Sequence, residues 1–169
     1  MSANLRAIGG ERDQSRSSSD ELHLLVIDPR TLTRDCLVGA RENPRAVAPV
    51  TAARSIEEAA TLLAGIGGRT AALLNLASDA FDHPTLSRMI APLRELAPGS
   101  IVILTTHVDA EHARTALRLG VAGLLSTEMS FDLTVDAIRI VSRGWITYPR
   151  SVLDPPAIEA HARASASHR

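Results

Sequence analysis

The sequence contains no lysine, since each of its 18 basic residues is arginine, so no site in this chain can use a lysine ammonium group. Aromatic residues make up only 2% of a chain that is 45% hydrophobic. The core must therefore be built from Leu, Val, Ile and Ala. Cys36 is the single cysteine, which excludes an internal disulfide bond and any cysteine-rich metal site.

The chain also lacks a large net charge and any long apolar run. The formal net charge is −1 at pH 7, so the chain lacks the basic surface that binds nucleic-acid phosphates nonspecifically. No run approaches the 18 apolar residues of a membrane-spanning helix, and the N-terminus has no apolar segment of signal-peptide type. We therefore expect a cytoplasmic protein without a membrane segment.

The composition divides the chain into three parts. A length of 169 residues suits one domain with a short extension at each end. Residues 1–21 are polar and Ser-rich and predict a flexible leader, because they cannot bury enough apolar surface to offset the entropy of ordering. Residues 154–169 begin with a Pro pair and predict a linker or tail. The folded domain is expected over 22–153.

Within that domain, short apolar runs alternate with segments of helical periodicity. Ser55 with Glu58 three residues later has the pattern of a capping box at a helix start. Thr31 is expected to cap a first helix that carries Leu32, Cys36, Leu37 and Ala40 on one apolar face. Continuous apolar strands separated by helices predict a doubly wound α/β fold, a five-stranded parallel sheet with helices on both faces. The strands are predicted at 22–27, 47–52, 71–75, 100–105 and 122–125.

Three stretches carry a resemblance to a known family. They are LLVIDPRTLTRDCL, SIVILTTHVDAEHARTALRLGVAGLLS and SRGWITYPRSVL, in that order along the chain. Together they resemble the receiver domain of two-component response regulators of the LuxR/FixJ type, over about 22–153. The resemblance implies a flavodoxin-like strand order 2-1-3-4-5 and a site at the carboxyl ends of the strands.

The family's phosphorylation site matches this sequence only in part. The resemblance implies an adjacent acid pair after the first strand, where this chain has Asp28 and Pro29. It implies an acceptor aspartate on the third strand, where this chain has Asn75. The hydroxyl after the fourth strand is kept as Thr105, and the lysine after the fifth strand is replaced by Thr127. The site is therefore interpreted as degenerate.

These replacements predict that the phosphorylation chemistry is lost. An amide such as Asn75 is a poor nucleophile and cannot form an acyl phosphate. Mg²⁺ prefers carboxylate oxygens, and Asp28 alone remains of three acids. Developing phosphoryl charge would also lack an ammonium partner. We expect no enzymatic activity, no metal and no cofactor.

Other interpretations of the strand ends stay open. In the simplest, Asn75 hydrogen-bonds to Thr105 across the top of the sheet and Asp28 caps local backbone. In a second, Arg30 folds over Asp28 and replaces the missing metal electrostatically. In a third, a small ligand occupies a pocket formed by Asp28, Arg30, Asn75, Thr105, His107 and Thr127.

Residues outside these positions offer further alternatives. Asp79 or Asp82 could serve as an unusual phosphoryl acceptor, and Cys36 could sense redox state. His107 and His112 are expected to be solvated, because no third metal ligand has suitable spacing.

The charges on the last two helices point to an output by protein contacts. We expect a homodimer, or contact with another protein partner, through a face that carries Arg114, Arg118, Asp132, Asp136 and Arg139. The predicted function is a phosphorylation-independent receiver-like module of a transcriptional response regulator. DNA is expected to be bound only through a helix-turn-helix domain that is not in this chain.

Overall fold

The computed structural model describes residues 22–39, 49–64, 68–76 and 81–153. The predicted leader 1–21 and tail 154–169 lie outside these ranges, so the proposed domain boundaries stay a prediction. Residues 47 and 48 of the predicted second strand and Asp79 also lie outside them.

Strands and helices alternate along the described residues, as the sequence predicts. Each of the five predicted strands is found, with bounds shifted by at most a few residues, and helices begin near Thr31 and after Ser55 as predicted. The strands are β1 (Leu22–Ile27), β2 (Val50–Ala53), β3 (Arg69–Leu76), β4 (Ile101–Thr105) and β5 (Gly123–Ser126). The helices are α1 (Thr31–Gly39), α2 (Ile56–Leu63), α3 (His83–Leu96), α4 (Ala110–Arg118), α5 (Phe131–Ser142) and α6 (Arg150–Leu153).

The five strands form one parallel sheet in the order β2-β1-β3-β4-β5, which confirms the predicted fold class. In register, Ile27 pairs with Leu74, and Thr105 pairs with both Leu76 and Ser126. Because the strands are parallel, the residues that follow them meet at one edge of the sheet.

Both faces of the sheet are covered, so alternate strand residues enter two different cores. Leu25, Ile27 and Leu74 belong to the core beneath α2, α3 and α4, whereas Val26 and Leu73 belong to the core beneath α5. All five side chains are at most 3% exposed. Burial on both faces explains why the strands are continuous apolar runs and why their sequences do not alternate.

The predicted start of α2 is confirmed, whereas the predicted burial of two α1 side chains is not. Ser55 caps α2 by accepting a hydrogen bond from the Glu58 backbone N–H at 3.3 Å, which confirms the predicted cap. On α1, however, Leu32 is 76% exposed and Cys36 is exposed, so their predicted burial is wrong. The side chain of Arg34 instead turns back towards β1 and donates to the Asp28 carbonyl oxygen at 2.7 Å.

Among the described residues, no helix combines the length and the apolar character needed to cross a membrane.

Candidate functional site

Asp28 follows β1 and is completely buried. Its Oδ1 accepts hydrogen bonds from the Arg30 backbone N–H at 2.8 Å and from Arg30 Nε at 3.0 Å. Its Oδ2 accepts from Arg30 Nη2 at 3.1 Å and from Asn75 Nδ2 at 2.6 Å. Four donors therefore satisfy both oxygens of this carboxylate.

Arg30 supplies the positive charge that a buried carboxylate requires. Its guanidinium contacts both oxygens of Asp28, while the side chain remains 58% exposed. The hydrogen bond to Asp28 raises the pKa of Arg30; burial opposes this shift, and attraction to the carboxylate adds to it. Because only the Asp28 carboxylate is buried, removing the Arg30 guanidinium would leave that carboxylate without a counter-charge. The neighbouring Pro29 is exposed and offers no second acid.

Asn75 lies near the end of β3 and is 5% exposed. Its amide nitrogen donates to Asp28, and among the described residues its Oδ1 has no hydrogen-bond donor. The hypothesis of a direct Asn75–Thr105 hydrogen bond is therefore wrong. The reason is the orientation of the amide, because Asp28 lies within reach and a carboxylate is the stronger acceptor.

The hydroxyl side of the site is formed by β4 and β5. Thr105 is completely buried, and its Oγ1 lies 3.5 Å from the His107 backbone nitrogen, which is a long hydrogen bond. Thr127 is exposed, and its backbone N–H donates to the Thr105 carbonyl oxygen at 2.9 Å. These residues lie near one another through backbone contacts, and neither threonine supplies a charge.

A small cluster follows Thr105 at the start of α4. Asp109 caps this helix, accepting from the backbone N–H groups of Glu111 and His112 at 2.8 Å each. The side chain of His107 is 66% exposed, as expected, but that of His112 is only 17% exposed and its ring lies 4.2 Å from the Phe81 ring. The prediction of a solvated His112 is therefore wrong.

The position of Asp109 at the start of α4 lowers its pKa. Burial pushes its pKa up, but the backbone N–H of His112, the charge of His112, the N–H of Glu111 and His107 together hold it below its ordinary value. Within the described ranges, no group of three or more His, Cys, Asp or Glu side chains is placed to hold a metal ion.

The other predicted residues are dispersed. Asp82 is exposed and caps α3 by accepting from the Thr85 backbone N–H at 2.9 Å, so it lies in a different loop from Asp28 and Thr105. On α5, Arg139 Nη1 lies 3.4 Å from Asp136 Oδ1. The remaining residues of the predicted dimer face are the half-buried Arg114 and the exposed Arg118 and Asp132.

A cleft beside the site was not predicted. It has a volume of 380 Å³ and lies between the ends of β1 and β3, the start of α2 and the side of α3, where Met89 lines it. Of the residues assigned to the predicted ligand pocket, only Asn75 lines this cleft. Met89 and Arg34 were both missed, because the position of Met89 depends on how α3 packs and the role of Arg34 depends on a side-chain contact with the Asp28 carbonyl oxygen.

Solved structures show the same architecture. A LuxR-family two-component response regulator from Aurantimonas sp. SI85-9A1 superposes with a TM-score of 0.59 at 18% identity, covering 84% of this chain and 97% of that chain. A LuxR-family DNA-binding response regulator from Silicibacter pomeroyi gives 0.56 at 23%, covering 77% and 98%. The signal receiver domain of NarL from Mycobacterium tuberculosis gives 0.56 at 21%, covering 74% and 98%. The chain has the fold of a receiver domain.

No protein-family model and no curated protein sequence matches the chain. The receiver fold therefore comes from the superposition of its strands and helices, with low identity throughout. It places Asp28, Asn75 and Thr105 at the carboxyl edge of the sheet, where folds of this doubly wound kind bind their ligands.

Proposed function

We propose that this chain is a receiver-like signalling module of a transcriptional response regulator that works without phosphorylation. One observation carries the proposal. The amide of Asn75 donates to Asp28 at 2.6 Å, and Asp28 is already paired with Arg30 through both carboxylate oxygens. The likeness to LuxR-family receiver structures supports the regulatory setting.

The chemistry of the site argues against phosphoryl transfer. A nucleophilic carboxylate is absent from position 75, and an amide does not replace it. A divalent cation at Asp28 would have to displace the Arg30 guanidinium, and it would find no second carboxylate at Pro29 or Asn75. Thr127 brings no positive charge to a transferred phosphoryl group. The arrangement favours a single state of the site.

We propose that the output runs through protein contacts on α4 and α5, with a homodimer as the first candidate. The exposed side chains there include the charges of Arg118 on α4 and Asp132 on α5, and two apolar residues of α5, Leu133 (57% exposed) and Ile140 (44% exposed). Exposed apolar residues bordered by charges are common at protein interfaces. DNA would be contacted through a helix-turn-helix domain outside this chain.

The test of phosphorylation independence is a titration with Mg²⁺ and beryllofluoride, followed by ¹H–¹⁵N NMR spectra. We expect unchanged amide shifts at Thr105 and Thr127 in the native chain. A variant carrying Pro29→Asp, Asn75→Asp and Thr127→Lys serves as the matched positive control and is expected to respond. A hydroxylamine-sensitive acyl phosphate on the native chain after incubation with acetyl phosphate would refute the proposal. Loss of that adduct in Asp82→Asn would then identify the unusual acceptor.

The dimer is tested by sedimentation equilibrium. We expect Leu133→Glu to shift the chain towards monomer, because it places a charge within the proposed apolar contact. Leu62→Glu is the matched control, since Leu62 is 43% exposed on α2, which covers the opposite face of the sheet from α5. A native chain that is monomeric at every concentration would remove the homodimer from the proposal.

A further inference from the structure

The described residues leave one face of α5 uncovered. Val135 and Val141 are at most 3% exposed and belong to the core beneath this helix. On the other side of the helix, Leu133 is 57% exposed and Ile140 is 44% exposed. These two residues are seven positions apart, close to two helical turns, so they lie in one row about 10 Å apart along the helix. The uncovered face of α5 therefore carries two apolar side chains in line.

Charged residues on the same face are ordered by sign along the helix. Asp132 and Asp136 lie in its first half, whereas Arg139 lies in its last turn and Arg143 is its C-cap residue. Asp132, Asp136 and Arg143 are exposed, and the Arg139 side chain is 35% exposed. At about 100° per residue, these charges and the two apolar residues span roughly a third of the helix circumference. The face thus has acids at one end, arginines at the other and an apolar row beside them.

We propose that this face binds α5 of a second copy of the chain in antiparallel orientation, about a twofold axis. This contact rests on the homodimer proposed above and specifies its geometry. A parallel pair would place each acid beside the same acid of the second copy and each arginine beside the same arginine, which is unfavourable. In the antiparallel pair, Leu133 of each copy lies opposite Ile140 of the other, and the twofold axis repeats this apolar contact.

The same alignment brings the opposite charges together. Asp132 lies level with position 141 of the second copy and Asp136 with position 137, so each is two residues from an arginine, Arg143 and Arg139 respectively. Two residues correspond to about 3 Å along a helix, a distance that a long arginine side chain covers. Exposed ion pairs add little affinity, so they select the orientation, while the apolar row supplies the buried area.

Single cysteines distinguish the two orientations. In the full chain carrying Cys36→Ser, which removes the exposed native thiol, Leu133→Cys and Ile140→Cys are introduced separately. Diamide is added to each protein alone and to an equimolar mixture, and disulfide-linked dimer is measured on non-reducing gels. We expect the linked dimer in the mixture and little in either protein alone. The antiparallel pair separates the two copies of each residue by about 10 Å along the helix, beyond the roughly 4.4–6.8 Å between Cα atoms of a disulfide.

Charge reversal tests the pairing without a cross-link. Asp132→Arg should weaken self-association about tenfold in sedimentation equilibrium, because two symmetry-related ion pairs become like-charge contacts. Arg143→Asp should weaken it similarly, and the double variant should restore native association. The matched control is Arg88→Asp, which makes the same change of charge at an exposed position of α3, on the opposite face of the sheet, and should leave association unchanged.

The outcomes separate this contact from the homodimer itself. A native chain that stays monomeric would remove both, while phosphorylation independence is decided by its own titration. A native dimer in which Leu133→Cys links to itself would overturn only the antiparallel orientation. A native dimer that responds to neither Asp132→Arg nor Arg143→Asp, with no cross-link in the mixture, would overturn the contact on α5 and leave the homodimer on another face.

Discussion

The carboxyl edge of the sheet has two halves, one on β1 and β3 and one on β4 and β5. Their buried polar side chains are hydrogen-bonded in different ways. On β1 and β3, the buried carboxylate of Asp28 receives four hydrogen bonds from Arg30 and Asn75. On β4 and β5, the buried hydroxyl of Thr105 has one long contact with a backbone nitrogen, and Thr127 is exposed. The first half is held by charge, whereas the second half is held by the backbone.

This difference indicates that only one half of the site requires a positive charge. A buried carboxylate without a partner is costly, so deleting neighbouring acids alone would not remove the need for a positive charge at Asp28. Arg30 meets that need from two residues away along the chain, with its backbone N–H and its guanidinium together. A hydroxyl such as Thr105 is neutral and imposes no comparable requirement.

The largest loss of stability is expected when Asp28 is removed from the half on β1 and β3. Asp28→Ala should lower the free energy of unfolding by roughly 3 kcal/mol, because Asn75 loses its buried acceptor and Arg30 loses its partner. Thr105→Val, at an equally buried position, should cost about 1 kcal/mol or less. Urea unfolding of both variants gives the comparison, and equal losses would show that the two halves do not differ as described.

A smaller effect is expected from Asn75→Asp alone. The new carboxylate would lie where Nδ2 now stands 2.6 Å from Asp28 Oδ2, so a donor is replaced by a like charge. We expect a loss of about 2 kcal/mol at neutral pH, from the lost hydrogen bond and from repulsion. The loss should shrink as pH falls and the introduced carboxyl takes up a proton, and Mg²⁺ should offset part of it.

The matched control at this position is Asn75→Leu, which also removes the hydrogen bond but adds no charge. Its unfolding free energy should show no response to Mg²⁺. If Asn75→Asp is as stable as the native chain without metal, the hydrogen bonds among Asp28, Arg30 and Asn75 do not determine the stability of this part of the site.

Much of the fold could be predicted from the sequence, for identifiable reasons. Strands buried on both faces are continuous apolar runs, and caps such as Ser55 mark helix starts, so the elements were predictable. The strand order was not contained in these patterns and came from the family resemblance. The burial of Leu32 and Cys36 was predicted wrongly from helical spacing, because both are exposed, while Arg34 on the same helix donates to the Asp28 carbonyl oxygen.

The site was predictable in position but only partly in its contacts. Strand ends place Asp28 and Asn75 at one edge of the sheet, and sequence suffices to see this. Which acceptor the Asn75 amide selects depends on register and side-chain rotamers, and the simplest interpretation chose Thr105 wrongly. The cleft beside Met89 depends on how α2 and α3 pack, for which no local pattern exists.

The smallest expected effect concerns Asp109, which follows β4 and caps α4. Because the folded-state pKa of Asp109 lies below its ordinary value of 3.8, the folded chain binds fewer protons than the unfolded chain in this range. Its stabilisation is therefore present above pH 3.8 and is lost as pH falls through the lower folded value. The side chain is 44% exposed, so solvent screening keeps the charge contribution below about 1 kcal/mol.

Two substitutions at this position separate the charge of Asp109 from its capping role. Asp109→Asn preserves a capping side chain and removes the charge, so its difference from the native chain should vanish in acid. Asp109→Ala removes the cap as well and should cost about 1 kcal/mol, part of which persists at low pH. Urea unfolding across pH 2 to 7 measures both differences. If the difference in unfolding free energy between the native chain and Asp109→Asn widens in acid, this carboxylate does not stabilise the start of α4. The contrast between the two halves of the site would then depend on Asp28 alone.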